Sequence, residues 1–183
     1  FKKNNNLIIK DYKKPKKYKQ LIEKNIFQIY GSKKLPNKFK KIVNHLRKQN
    51  PEYKYHLFDD YDMENFVKNN YPEYWESYYL ISQKYIVAKG DFFRYLIIYH
   101  YGGVYFDIKS GCKVPLRKII KPDDEIVLTD WNISGINIDK YIQWCIICKK
   151  KHPILKIVLD TINLKIKNYN FVRDGYGHFG VLR

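Results

Sequence analysis

The sequence predicts an α/β domain with a largely parallel sheet flanked by helices, and three observations carry that prediction. Short apolar runs alternate with stretches whose apolar residues recur every three to four positions, the pattern of strands joined by helices. One of those helices closes on a double glycine and leads straight into a short apolar strand. The 183 residues, 45% of them hydrophobic, suffice for one sizeable core and show no repeat or second composition regime.

Residues 1–20 (FKKNNNLIIKDYKKPKKYKQ) are basic and polar with little apolar periodicity, and read as an arm ahead of a domain over 21–183. NIFQIYG, Asn25–Gly31, is a first strand ending in glycine. Phe39, Ile42, Val43 and Leu46 recur at helical spacing between Pro36 and Pro51 and predict a helix. Glu52–Asp60 alternates as a second strand, and Asp60–Tyr79 reads as a helix in two pieces broken at Tyr71-Pro72. Tyr85–Tyr101 is one helix closed by Gly102-Gly103, and Val104–Asp107 is a buried strand. Glu125–Asp130 and Tyr141–Lys149 are two further strands, HPILKIVLDTINLKIKN is a late helix, and FVRDGYGHFGVLR is a glycine-rich loop.

The balance of 35 Lys+Arg against 18 Asp+Glu gives a formal charge of +17. Such a charge suits nucleic acid, an anionic membrane surface or a phosphorylated substrate. The lysines are dispersed beyond the first twenty residues, and Lys, Asn, Ile and Tyr abound throughout, as an AT-rich coding sequence produces. Composition bias therefore outweighs function as the source of the charge. A nucleic-acid-binding protein would also show a zinc or helix-turn-helix motif, or a paired aromatic signature on a strand, and none is recognisable. No apolar run approaches the ~18 residues of a membrane span, and no signal peptide is visible. Phe1 and Arg183 read as the ends of a fragment, so membrane association would need a segment outside this chain.

Cys112, Cys145 and Cys148 make no disulfide framework. Cys145 and Cys148 are three apart in an apolar strand, which sends them to opposite faces, and no second pair completes a metal site. They read as buried strand cysteines.

Asp91, Arg94 and Asp107 form the constellation that carries chemistry. Asp91 and Arg94 share a helix face. From Asp91 the helix runs about 15 Å to Tyr101, and the strand after the glycines returns about 13 Å. Asp107 thus comes back level with Asp91, at the C-terminal edge where open α/β sheets bind ligands. Carboxylates there accept hydrogen bonds from sugar and ribose hydroxyls, and a guanidinium or a metal ion neutralises a diphosphate. Taken singly, each residue reads as a solvated helix pair or a strand end; together with the double glycine they read as a site.

The run AKGDFFRYLIIYHYGGVYFDIK resembles the signature of glycosyltransferase family 32, the sugar-binding region with a DxD motif. The clostridial glucosylating toxins share a similar D-x-x-R…GG-x-Y-x-D-x-D core. IFQIYGS resembles the family's opening strand, NPEYKYHLFDD its second strand, and IQWCIICKKKHPIL its later strand-to-helix unit. The resemblance implies a GT-A fold, a Rossmann-like domain, incomplete here at its C-terminus because members continue past the point where this chain stops. It implies transfer of a sugar from a UDP- or GDP-linked donor to a hydroxyl of a glycan or protein acceptor, with retention of configuration. Golgi-luminal, host-cell and viral settings all fit.

Carried over by position, the resemblance places Phe27, Gln28, Ile29 and Tyr30 near the nucleotide base. Asp91 and Arg94 would hold the donor sugar and its phosphate. Asp107 would be the first aspartate of the DxD, touching ribose or sugar and a Mn²⁺ or Mg²⁺ ion. No general base is implied, since the leaving diphosphate itself can take the acceptor proton. Trp131 and Asn132, after the EIVLTD strand, are acceptor-side candidates, with a core tryptophan the equal alternative. His178 in the tail reads as a solvated loop histidine.

One departure matters. Lys109 stands where the family has its second aspartate, giving D-I-K. Three readings follow: the lysine replaces the metal; Asp107 and another acid, such as Asp130 or one beyond Arg183, hold it; or the chain binds sugar nucleotide or glycan without transferring.

Overall fold

Residues 20–82, 86–129 and 141–168 are described by a computed structural model of the chain. Within them, β1 is Asn25–Ile29, α1 Asn37–Gln49, β2 Lys54–Phe58, α2 Asp60–Asn70 and α3 Pro72–Leu80. They continue as α4 Ile86–Tyr101, β3 Gly103–Phe106, β4 Ile126–Val127, β5 Cys145–Cys148 and α5 Pro153–Lys167.

Local chemistry sets the helix boundaries. Asp59 caps α2 by accepting from the Asp62 amide, and the Asp62 carboxylate accepts from the Asp59 amide in return. Proline opens both α3 and α5 at the first helical turn, where its missing N–H costs nothing. α1 follows Pro36 and buries Phe39, Val43 and Leu46 along one stripe. Asp59 ends the second predicted strand early because it serves as the α2 cap, and Tyr53 is drawn into a turn by its amide bonding to Asn50.

The strands form one sheet in the order β2-β1-β3-β5-β4. β1 pairs parallel with both β2 and β3, whereas β5 runs antiparallel between β3 and β4. The largely parallel sheet expected from the sequence holds, with one reversed strand. Alternation sends Ile26, Val104, Phe106 and Ile147 to one face, where they pack with Leu46 of α1 and with Leu116 and Ile120. Phe27, Tyr105, Ile146 and Cys148 face the other way, against α2, α3, α4 and α5. Cys145 packs on the first face and Cys148 on the second, and both are free thiols.

α4 is the central helix. Phe92, Phe93, Leu96, Ile97 and Ile98 are all 1% exposed or less. Each such side chain contributes about 1.5–3 kcal/mol of burial free energy before chain entropy is charged against it. That packing fixes where α4 lies over the sheet, and hence where its polar residues emerge. No helix among the described residues is long and apolar enough to cross a membrane.

Candidate active site

The link between α4 and β3 sets the geometry. Gly102 has φ +66° and Gly103 φ +120°, both in the region that only glycine occupies easily. A Cβ on Gly103 would lie 2.5 Å from the Asn25 carbonyl oxygen, so the turn packs directly on β1. The chain therefore reverses at once, and β3 returns alongside α4. Arg94 Nη2 lies 3.4 Å from Asp107 Oδ1 and also pairs with Asp91 Oδ1 one turn earlier on the helix. The matched lengths of helix and strand thus have the expected effect: all three residues meet at the C-terminal edge of β3.

Arg94 is held from every side. It is 5% exposed, its Nη1 donates to the Gln143 carbonyl at 3.1 Å, and its guanidinium stands 5.0 Å over the Tyr105 ring. Its Nε has no hydrogen-bond partner among the described residues. The two carboxylates are more open, Asp91 at 24% and Asp107 at 39% side-chain exposure. A buried cation thus presents two part-exposed carboxylates to solvent at a sheet edge. Burial raises the pKa of the Asp91 carboxyl above the usual aspartate value; the Asp107 charge adds to this, against the pull of Arg94. The Tyr105 hydroxyl donates to Asp107 Oδ1 at 2.7 Å, and burial holds its proton on far above the ordinary tyrosine range.

Asp107 also opens a tight turn, in which the Ser110 amide donates to the Asp107 carbonyl at 2.7 Å. Ile108 points inward against Phe39 and Val43 of α1, while Lys109 is exposed. The Gln28 side chain clamps the turn from beneath. Its amide nitrogen donates to the carbonyls of Asp107 at 3.0 Å and Ser110 at 3.5 Å, and its oxygen accepts from the Tyr55 hydroxyl at 2.9 Å. Gln28 is wholly buried. An unpaired amide there would be costly, so the turn and the glutamine specify each other.

The other residues expected near a nucleotide base divide by depth. Phe27 is a core residue, stacked 4.9 Å from the His56 ring and 6.0 Å from the Tyr101 ring, with no surface left for a ligand. Ile29 is half-buried against the α4 side of the sheet. Tyr30 follows at the strand end, half-buried, with its ring edge-on to Phe39. Of the four, Ile29 and Tyr30 reach the edge, and Gln28 acts on it from below. Trp131, Asn132, Asp130 and His178 lie outside the described residues.

Sequence reasoning passed over Tyr105 and Gln143. Tyr105 was legible in principle, because residues two apart on a strand share a face with each other. Gln143 contributes a main-chain carbonyl, and nothing in its side-chain identity announces that.

The residues present do not fit a divalent cation held by paired aspartates. Asp91 and Asp107 are both drawn onto Arg94, Asp107 also accepts from Tyr105, and the third motif position is a lysine. Among the described residues no three His, Cys, Asp or Glu side chains converge as metal ligands.

Comparison with known proteins finds glycosyltransferases. The model of the family described as glycosyltransferase sugar-binding region containing DXD motif matches residues 36–127. A mannosyl phosphorylinositol ceramide synthase of Saccharomyces cerevisiae is 35% identical over 101 residues, covering 55% of this chain and 26% of that protein. An initiation-specific alpha-1,6-mannosyltransferase of Candida albicans is 27% identical over 164 residues, covering 76% of this chain and 42% of that protein. The chain thus spans less than half the length of these relatives. Among solved structures, the PaToxG glycosyltransferase superposes with a TM-score of 0.60 at 17% identity, over 89% of this chain and 65% of its own. That likeness carries the fold, and bears out the GT-A architecture expected from the sequence.

Proposed function

The chain belongs to the family of glycosyltransferases whose sugar-binding region contains a DXD motif, and we propose that it moves a hexose from a nucleotide-diphosphate donor to an acceptor hydroxyl. The observation that supports this most is the pairing of Arg94 with Asp91 and Asp107 at the C-terminal edge of β3. In this reading the carboxylates accept hydrogen bonds from sugar and ribose hydroxyls, while Arg94 fixes their positions and offsets one of their two negative charges.

The bond between the anomeric carbon and the β-phosphate oxygen breaks, and the acceptor oxygen bonds to that carbon. The acceptor proton passes to the leaving diphosphate, so no protein base is required. Donor and acceptor meet on one face of the sugar, which gives retention. The family carries a nucleotide-sugar donor; the relatives named above are named for mannosyl transfer, which supports mannose as the sugar and a glycan or a phosphorylated lipid as the acceptor.

The test is a turnover screen of UDP- and GDP-linked hexoses on the protein, with Asp91→Asn and Arg94→Ala alongside. Release of nucleotide diphosphate that collapses in both variants is the expected result. Turnover unchanged in either variant would remove that residue from the site.

A further inference from the structure

Resting on the transferase reading, we propose that Lys109 supplies the positive charge that a divalent cation supplies in a paired-aspartate site, so that this chain binds its donor's diphosphate without a metal. Charge balance is the first support. A second aspartate carrying a divalent cation brings one net positive charge to the site. A lysine at the same position brings the same charge alone. Asp91, Arg94 and Asp107 together carry one net negative charge, which would repel a diphosphate. Lys109 brings that edge to neutrality before the donor arrives.

Placement is the second. Lys109 sits two residues beyond Asp107 on the same tight turn, exposed, with no ion-pair partner among the described residues. The turn does not drift: Ile108 anchors it into the α1 cluster and Gln28 holds its carbonyls at both ends. A fixed turn with a flexible four-carbon stem delivers an ammonium that follows charge as it develops on a departing diphosphate. The competing arrangement, a metal on Asp107, would need further donors, and the described residues place a guanidinium and a hydroxyl there instead.

The experiment is calorimetric binding of GDP, UDP, guanosine and uridine to the full chain, in EDTA and in Mn²⁺. The variants are Lys109→Ala, Lys109→Gln and Lys109→Asp, each first checked for an unchanged melting temperature. The expected result is diphosphate binding in EDTA within about twofold of that in Mn²⁺, weakened about tenfold or more by removing the charge. Nucleoside binding, which lacks the diphosphate, should not respond to these variants. Lys109→Asp, which places a further negative charge beside the diphosphate, should weaken binding more than Lys109→Ala. Wild-type binding that requires Mn²⁺, or Ala and Gln variants that bind as wild type, would overturn the lysine's role and leave the transferase reading standing. Absence of binding by every nucleotide under every condition would overturn both.

Discussion

The side-chain amide of Gln28 donates to the main-chain carbonyl of Asp107 across 3.0 Å, tying β1 to the turn that carries the site carboxylate. Gln28→Leu should therefore act on function through position. It removes three part-buried hydrogen bonds, those to the Asp107 and Ser110 carbonyls and the one from the Tyr55 hydroxyl, at a cost of about 1–3 kcal/mol. The expected fall in melting temperature is roughly 3–9 °C. Tyr55→Phe removes only one of those bonds and should cost less. Donor affinity measured on the folded fraction should weaken more in Gln28→Leu than in Tyr55→Phe; equal affinities would detach the clamp from the site.

Arg94→Lys should behave as a loss. The guanidinium meets Asp91, Asp107, the Gln143 carbonyl and the Tyr105 ring at once, and a lysine cannot reproduce that fork. The carboxylates left behind are part-exposed, so the stability cost stays near ~1–3 kcal/mol instead of the larger figure for a sealed pair. Turnover should fall about a hundredfold or more. Steady-state kinetics beside a thermal melt separate the two effects, and full turnover in the lysine variant would contradict the geometry.

Asp91 supplies a pH dependence with a definite sign. Burial holds its carboxyl pKa above the unfolded value, so the unfolded chain gives up its proton first as pH rises. The stability this group contributes is full below the unfolded pKa near ~3.9 and declines as pH climbs through the raised native value. Asp91→Asn removes that slope. Melting temperatures of wild type and variant from pH 3.5 to 7 should diverge in the variant's favour with rising pH; parallel curves would count against the raised value.

Two glycines should respond in opposite directions. Gly103→Ala forces a Cβ to 2.5 Å from the Asn25 carbonyl oxygen at φ +120°, and both contacts and backbone resist it. A loss of about 2 kcal/mol or more is expected. At Gly90, within α4, no atom beyond its chain neighbours and the adjacent helix backbone lies within 4 Å of the point an alanine methyl would occupy. Gly90→Ala should therefore gain about 0.5–1 kcal/mol from helix propensity alone. Chemical denaturation of the two variants tests both signs together.

Much of this protein was determined by its sequence alone. Periodicity, prolines and the double glycine located the helices and the core strands, because those signals act over a few residues and need no partner. The helix from Asp91 to Tyr101 and the strand back to Asp107 even implied that the three charged residues meet, since rise per residue is fixed by backbone geometry. Tertiary structure decided what depended on distant segments. Phe27 became core and Gln28 a buried clamp because β1 lies between β2 and β3, an order no local pattern encodes. β5 came in antiparallel, which brought the Gln143 carbonyl onto Arg94 and the Trp144 carbonyl onto the Asp107 amide. Strand order and direction are settled by burial and main-chain pairing summed over the whole sheet, and the surroundings of each site residue follow from them.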